Sequence, residues 1–136
     1  MASVGIDRET GALLRGWPHV VQSLGVLFTT RFGQRVMRRH FGSEVPSLLG
    51  ENLTPATILR FMTAIVATID LWEPRFRIVK IDIAPANTPE RLRTGRLSLA
   101  VRGEYRPRAH LGDLTPERGE HVLWVGAGAD GVLVTP

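Results

Sequence analysis

The pattern of apolar and polar positions changes from a helical to a strand period over residues 54–83. Thr54 is a favourable helix N-cap, and Pro55 suits the first helical turn, where a missing N–H costs nothing. Apolar side chains then recur every three or four residues, which predicts a helix with one wide apolar face formed by Ile58, Phe61, Met62, Ile65, Ile69 and Trp72. Pro74 is incompatible with a helix interior, so we expect the helix to end at about Trp72.

Two segments after this helix alternate with the period of a β-strand. Residues 76–83 divide into two alternating sets, one of them strongly apolar, and predict a first strand. Residues 97–105 predict a second, half-buried strand whose apolar positions are Leu97, Leu99, Val101 and Tyr105. The loop between them is rich in proline and has no helical pattern, so we expect the strands to form an antiparallel hairpin.

The other elements are shorter or less regular. Residues 18–31 predict a helix with Gly25 in its interior, where a glycine would allow close packing against a neighbour. A basic, irregular stretch at 34–43 and a short helical turn at 45–49 come next. Residues 121–125 predict a third short strand, and we expect a flexible glycine-rich tail after it.

This order of elements predicts an α+β fold, with N-terminal helices packed on a small, mainly antiparallel β-sheet formed by the C-terminal half. A chain of 136 residues has the size of one domain with its own core. We divide it into an N-terminal arm (1–16), an α+β core (17–105), and a C-terminal segment (106–136) that holds a linker, a short strand and a flexible tail.

Composition narrows the class of protein. Hydrophobic residues make up 43% and charged residues 22%, as in a soluble globular domain. There is no cysteine, which excludes disulfides and thiolate metal sites. The apolar runs are far too short to cross a bilayer and no signal-peptide pattern is present, so we expect synthesis in the cytoplasm.

The chain is basic, with sixteen arginines, one lysine and 13 acids, and its net charge is +4. Such a balance permits nucleic-acid binding. The arginines are scattered among the acids, however, and form local groups only around Arg35 and Arg102. Nucleic-acid binding is therefore a minority interpretation.

Motifs of catalysis and cofactor binding are weak. Residues 126–131 match the G-x-G-x-x-G dinucleotide fingerprint, but no helix can follow them as that site requires, so the match is accidental. The four histidines lack metal-ligand spacing. The acids Glu44, Glu51 and Glu73 do not single out the carboxylate pair of a glycosidase. We expect no catalytic residue, no metal and no cofactor.

The turn at Glu73-Pro74-Arg75 has two interpretations. A local ion pair that finishes the helix is the simpler one, and exposed pairs of this kind contribute only about 0–1 kcal/mol. The second is a docking point for a partner, because arginine offers a planar fork of donors suited to carboxylates and carbonyls. From the residues alone, the local ion pair is favoured.

Several ordered segments resemble one known family, the phage baseplate assembly protein W family of contractile tails and type VI secretion systems. They are Gly5-Ile-Asp-Arg-Glu-Thr-Gly11, Trp17-Pro-His-Val-Val-Gln-Ser-Leu24, Leu27-Phe-Thr-Thr-Arg-Phe-Gly33-Gln-Arg-Val-Met-Arg38 and Phe41-Gly-Ser43. Glu73-Pro74-Arg75 is similar to the family's Glu-Pro-Arg motif, again at a helix–strand junction. The resemblance covers roughly residues 4–83 and does not extend to the linker and glycine-rich end.

This resemblance implies a structural part of the baseplate wedge that contacts the large wedge proteins and initiates the contractile sheath, with the hub or tube proteins as further candidate partners. It implies many copies in a ring, and neither nucleic acid nor membrane as a partner. Mapped onto this chain, the wedge contact comprises Glu73, Pro74, Arg75, Arg31, Arg35 and Arg38. The family's sheet resembles the interlocking domain of the sheath subunit, so the sheath-facing positions would be Leu97, Leu99, Val101 and Tyr105.

Two alternatives come from other classes of protein. The family was once labelled lysozyme-like, so a tail-associated enzyme that cleaves peptidoglycan is the first alternative. A basic nucleic-acid-binding module is the second. The parent machine could equally be a phage, a tailocin-like particle or a secretion system.

Overall fold

The computed structural model describes residues 3–48, 52–85, 87–128 and 131–136. Its helices are α1 (Trp17–Thr29), α2 (Pro55–Trp72) and α3 (Pro89–Arg93). Its strands are β1 (Val4–Ile6), β2 (Leu13–Arg15), β3 (Phe76–Ile83), β4 (Leu97–Tyr105), β5 (His121–Gly128) and β6 (Gly131–Thr135). Short 3-10 helices lie at Val45–Leu48 and Ala109–Leu111. The predicted α+β class is confirmed.

Helix α2 begins and ends where its sequence predicts. The Thr54 hydroxyl accepts a hydrogen bond from the backbone N–H of Thr57 at 3.2 Å, which caps the N-terminus. At the other end, the N–H of Glu73 donates to the Ile69 carbonyl at 2.9 Å. The residues that α2 buries most deeply in the core are Phe61, Ile65 and Ile69.

Helix α2 also has the length and composition of a helix that could cross a bilayer, with 18 residues and a mean hydropathy of 1.3. The expectation that the apolar runs are far too short for this is therefore wrong for α2. In the structure its apolar face packs into the core, and Arg60 and Asp70 lie on exposed positions. This is the arrangement of a core helix in a globular domain.

The main sheet has four antiparallel strands in the order β3-β4-β5-β6. Strands β3 and β4 pair from Phe76 opposite Tyr105 to Ile83 opposite Leu99, as the predicted hairpin requires. A β-bulge interrupts this ladder between Ile78 and Lys80. The connection between the two strands, expected to be all loop, contains the five-residue helix α3.

The glycine-rich end differs from its prediction. Instead of a short strand and a flexible tail, β5 extends to Gly128, and β6 pairs with it from Trp124 opposite Thr135 to Gly128 opposite Gly131. Two valines of β6, Val132 and Val134, pack against the core. The pairing with β5 and the packing of these valines, rather than the glycine content, therefore determine the structure of the segment.

The core lies between the sheet and the two long helices. It comprises residues from α1, α2, β3, β4 and β5, including Leu24, Phe28, Ile65, Phe76, Val101 and Leu123. Strand β4 lies in the middle of the sheet, and Leu97, Leu99, Val101 and Tyr105 are all buried. These four predicted sheath-facing positions therefore face the core, and their strand has no free edge.

Strands β1 and β2 form a separate antiparallel hairpin, which is the predicted N-terminal arm. The hairpin packs on the start of α1. Gln22 both donates to the Ile6 carbonyl at 2.9 Å and accepts from the Arg8 N–H at 3.0 Å. Gly5 lies so close to the His19 ring that a Cβ there would come within 2.5 Å of it.

Gly103 in β4 should tolerate no side chain, because a Cβ there would lie 2.2 Å from the Arg77 carbonyl oxygen and 2.8 Å from the Phe76 ring. We expect Gly103→Ala to lower the free energy of unfolding by about 1–3 kcal/mol in urea denaturation.

Gly25 is the matched control. Within α1 a Cβ at Gly25 would meet no heavy atom within 4 Å, so the prediction of a close neighbour there is wrong. Gly25→Ala should instead stabilise the domain by about 0.5–1 kcal/mol through helix propensity. Equal effects of the two substitutions would contradict this account of the sheet packing.

Candidate functional site

The junction between α2 and β3 is held by a buried ion pair. The Nε and Nη2 atoms of Arg75 donate to the two carboxylate oxygens of Glu73 at 2.5 and 2.7 Å. Glu73 is 2% exposed and Arg75 is 8% exposed. The interaction is therefore a two-point fork inside the protein, where charge-assisted hydrogen bonds are strong and geometrically specific.

Backbone hydrogen bonds connect this pair to the sheet. Phe76 N–H donates to the Glu73 carbonyl at 3.3 Å, which forms the tight turn around Pro74. Arg106 N–H donates to the Arg75 carbonyl at 2.7 Å, which ties the start of β3 to the end of β4. These backbone hydrogen bonds thus join the residues of the ion pair to the main sheet.

The remaining donor of Arg75, Nη1, points to the N-terminal arm. It contacts the Ser3 hydroxyl and the Nδ1 atom of His19, the latter at 3.0 Å. Because a guanidinium can only donate, Nδ1 of His19 accepts, and the ring carries its proton on Nε2. The arm, α1, α2 and β3 therefore meet at one guanidinium group.

An aromatic cluster covers the same region of the sheet. Trp17, at the start of α1, has ring-centroid distances of 5.1 Å to Phe76, 5.8 Å to Tyr105 and 4.7 Å to His121. Burial raises the pKa of Tyr105 above its ordinary value, although the positive charge of Arg75 acts in the opposite direction. The ion pair thus lies beside a packed aromatic layer.

The burial of Glu73 and Arg75 changes both interpretations of the motif. The local ion pair is present, but the expectation of an exposed and weak pair is wrong. Removing one member would leave the other as an uncompensated buried charge, which costs about 3–5 kcal/mol. Since Ser3 lies far away in the sequence, residue spacing carries no signal for this burial.

The three predicted partner-binding arginines outside the junction lie in the loop at residues 31–40, where every residue is exposed. The Arg35 guanidinium lies 4.1 Å from the Phe41 ring centroid and that of Arg38 lies 5.7 Å from it. Phe41 packs edge-to-face on Trp72 at 5.2 Å. The loop therefore contacts the last turn of the helix that Glu73 caps.

The edge strands of the main sheet form a surface that the sequence pattern does not identify. Because β4 is central, the two edges of the main sheet are β3 and β6. Residues of β6 alternate between partly buried and exposed positions, and Leu133 is 68% exposed. The apolar run Val132-Leu133-Val134 could have identified this strand, but the glycines before it masked the signal.

Carboxylates are poorly arranged for glycoside hydrolysis. Both oxygens of Glu73 accept hydrogen bonds from Arg75, so neither is free to give a proton to a substrate. Glu44 is exposed, and Glu51 lies outside the described residues. Among the residues that the structure describes, no group of three or more histidines and acids could hold a metal ion.

The sequence model of the family described as baseplate wedge protein gp25 matches residues 15–109, which is more than half of the chain. The chain belongs to this family of baseplate wedge proteins. The predicted family is thereby confirmed. The protein is a baseplate component of contractile tail-like systems and works in assemblies with other baseplate proteins.

A curated relative supports the same conclusion. Baseplate protein W of Escherichia phage P2 is 30% identical to this chain over 102 residues. The aligned region covers 75% of this chain and 84% of the phage protein. The gp25-family assignment therefore applies to most of both proteins.

Three solved structures share the fold. A chain of the post-contraction pyocin R2 baseplate has a TM-score of 0.61 and 24% identity, covering 76% of this chain and 99% of that one. A chain of the anti-feeding prophage baseplate has a TM-score of 0.52 and 22% identity, covering 93% and 80%. A Geobacter sulfurreducens protein named as a candidate tail lysozyme has a TM-score of 0.54 and 25% identity, covering 77% and 85%.

Arg75→Lys should destabilise the domain because lysine cannot form the two-point fork and also reach Ser3 and His19. We expect a loss of about 1.5–3 kcal/mol in urea denaturation, the range for hydrogen bonds to charged groups. Arg108→Lys is the matched control, since Arg108 forms an exposed pair with Asp113. The urea midpoint of the control should stay unchanged, and equal losses in both variants would show that the fork is dispensable.

The stability of the domain should fall in mild acid through His19. Burial, and then the nearby charge of Arg75, lower the pKa of His19 below its ordinary value of 6.5. As the pH falls through about 6.5, the unfolded chain takes up a proton that the folded chain refuses, so this stability is complete above that pH and is lost below it.

Thermal melting of the wild type between pH 8 and 5 measures this dependence. His19→Gln should flatten the decline in Tm below pH 6.5, whereas His40→Gln, which alters an exposed loop histidine, should preserve it. An unchanged slope in His19→Gln would assign the acid sensitivity to another group.

Proposed function

We propose that this chain is a structural, non-enzymatic subunit of the baseplate wedge in a contractile injection machine. It is synthesised in the bacterial cytoplasm and then joins the baseplate in several copies arranged in a ring. Its partners are the large wedge proteins and the sheath protein, with hub or tube proteins as further candidates. The observation that carries this proposal is the family match over residues 15–109, which contains the helix–strand junction.

The wedge contact is assigned to the junction and to the arginine loop beside it. Glu73 and Arg75 are buried, so a wedge protein would meet the exposed Pro74 and would reach Arg75 only at Nη1, the donor that contacts Ser3 and His19. A carboxylate or carbonyl of the partner that replaces the Ser3 hydroxyl would accept the same hydrogen bond. The two hydrogen bonds from Arg75 to Glu73 would remain intact and would hold the Arg75 side chain in position for this contact.

Sheath initiation is assigned to strand addition at an edge of the main sheet, and the two edges are unequal. Strand β3 carries a β-bulge and the charged residues Lys80 and Asp82, which are features that discourage pairing with another strand. Strand β6 consists of Gly131-Val-Leu-Val-Thr135 and has no charge. An incoming strand of the sheath protein would therefore extend the sheet at β6 rather than at β3 or the central β4.

A peptidoglycan-cleaving lysozyme is the second candidate, because one structural neighbour carries that name. Both carboxylate oxygens of Glu73 are bonded to Arg75, which argues against Glu73 as the catalytic acid of a lysozyme. Glu44 is exposed and is therefore the acid to test among the described residues. Purified protein that clears a cell-wall suspension, and loses this activity in Glu44→Gln, would support the enzyme over the structural subunit.

Leu133→Lys should block sheath recruitment. The substitution adds a charge to the exposed side of β6, where it would oppose pairing with another strand. Tagged wild-type protein purified from the producing bacterium should bring down sheath and large wedge proteins, identified by mass spectrometry. The variant should still bring down the wedge proteins, and the amount of sheath protein recovered with it should fall at least tenfold.

Val79→Lys is the matched control for this experiment, because Val79 is 65% exposed on the opposite edge strand. It should behave as the wild type does. Loss of the sheath protein in Val79→Lys alone would move the contact to β3. Recovery of no tail protein with the wild type would contradict the proposed function itself.

A further inference from the structure

A cleft lies between the arginine loop and the C-terminal half of α2. Its volume is about 160 Å³, and it is lined by Phe32, Gly42, Glu44, Ala64, Ala67, Thr68, Leu71 and Trp72, of which Glu44 is the one charged residue. The small alanines on this face of α2 leave the space open. The Thr68 hydroxyl donates to the Ala64 carbonyl at 2.7 Å, so its hydrogen-bonding need is met within the helix.

The size and lining of this cleft define what it can hold. An apolar cavity of roughly 150 Å³ accommodates a group the size of benzene. The cleft therefore has room for one phenyl ring or one branched aliphatic side chain. Its walls offer apolar contact rather than a set of polar groups that would orient a small polar ligand.

Large apolar side chains are exposed beside the cleft. Phe32 and Leu71 line the cleft and are 49% and 67% exposed, and Val36 and Met37 of the same loop as Phe32 are also exposed. A soluble domain that gathers such side chains around a cleft is presenting a surface for a partner. The apolar positions belong to the loop and to α2, so a bound segment would contact both elements.

The charge of the loop identifies the complementary chemistry. Arg31, Arg35, Arg38 and Arg39 are all exposed, and Glu44 is the one acid between residues 31 and 48. None of the four arginines forms an ion pair with an acid in the part of the chain that the structure describes. Arg35 and Arg38 are held over the Phe41 ring, which lowers the entropy cost of pairing them with carboxylates.

We propose that this cleft binds an acidic amphipathic segment of another protein, which inserts one aromatic or branched apolar side chain between Phe32 and Leu71. Carboxylates on either side of that anchor pair with Arg31, Arg35 and Arg38. The inference rests on the proposed baseplate role, for which it supplies the chemistry of one partner. A nucleic acid would satisfy the arginines but would leave the apolar cleft empty, so the protein segment is the better fit.

Site-specific photo-crosslinking in the producing bacterium tests this inference with the full chain. The photoreactive amino acid p-benzoylphenylalanine replaces Phe32 in one variant, Leu133 of β6 in a second and Leu111, in an exposed 3-10 helix, in a third. After illumination, the crosslinked peptides are identified by mass spectrometry. The variant at position 32 should capture a net-acidic segment with at least one large apolar residue, and the variant at position 111 should not capture it.

The outcomes separate this inference from the proposed function. A sheath crosslink from position 133 with none from position 32 would overturn the docking cleft and leave the baseplate role intact. Capture from position 32 of nucleic acid, of a second copy of this chain or of a segment without net acidity would also overturn it. Absence of crosslinks at both positions would reject the two proposals together.

A binding measurement then tests the arginines and the cleft separately. The probe is a fluorescein-labelled synthetic peptide with the captured sequence, titrated with the full purified chain while its anisotropy is recorded. Arg35→Glu and Phe32→Ala should each weaken binding at least tenfold, and Arg108→Glu, at an exposed site outside the loop, should change it less than twofold. Because residues 32 and 35 are exposed, circular dichroism should show all three variants folded, and equal weakening by all three would overturn the assigned site.

Discussion

A guanidinium and a carboxylate that are two residues apart in the chain lie together inside this protein, at the point where its longest helix passes into its main sheet. Burying these charges is costly unless they are paired and hydrogen-bonded. The fork between Glu73 and Arg75 meets that condition with two hydrogen bonds, and Pro74 keeps the chain in the turn that makes the fork possible. The Arg75 carbonyl and Nη1 atom then bind the end of β4 and the N-terminal arm. The ion pair therefore connects helix α2, the main sheet and the N-terminal arm.

This buried pair explains how a small domain can present distinct surfaces. Glu73 and Arg75 are internal and stabilise the frame, so a partner can reach this motif only at the exposed Pro74 and at Nη1 of Arg75. Strand β6 provides an uncharged sheet edge on one element. The loop at residues 31–40 provides four exposed arginines next to an apolar cleft on another. A wedge subunit that binds different proteins needs separate surfaces of this kind.

The sequence predicts those elements whose position is determined by caps and by the spacing of apolar residues within the element itself. The Thr54 cap, the apolar stripe of α2 and the alternation in β4 all appear at the expected residues. Strand β3 has its predicted bounds, but its bulge breaks the alternation and leaves Val79 and Ile83 of the predicted apolar face exposed. Strand β6 was missed because its five residues follow a glycine-rich stretch and form a strand only when β5 pairs with them. The burial of Glu73 and Arg75 was missed because it depends on Ser3 and His19, which spacing does not connect to the turn. The residues of β4 that were predicted to face the sheath are buried in an inner strand, a position that spacing does not reveal because strand order within a sheet is a tertiary property.

The central claim is that Glu73 and Arg75 stabilise the fold as a coupled, buried pair. A double-mutant cycle in urea measures that coupling most directly, with Glu73→Gln, Arg75→Met and the double variant. Each single change leaves one buried group without its partner, whereas the double change removes both charges. We predict a coupling energy above about 2 kcal/mol, with the double variant more stable than the sum of the single losses implies. If the two single losses sum to the loss in the double variant within about 0.5 kcal/mol, the account is contradicted, because the two residues then do not stabilise the fold as a pair.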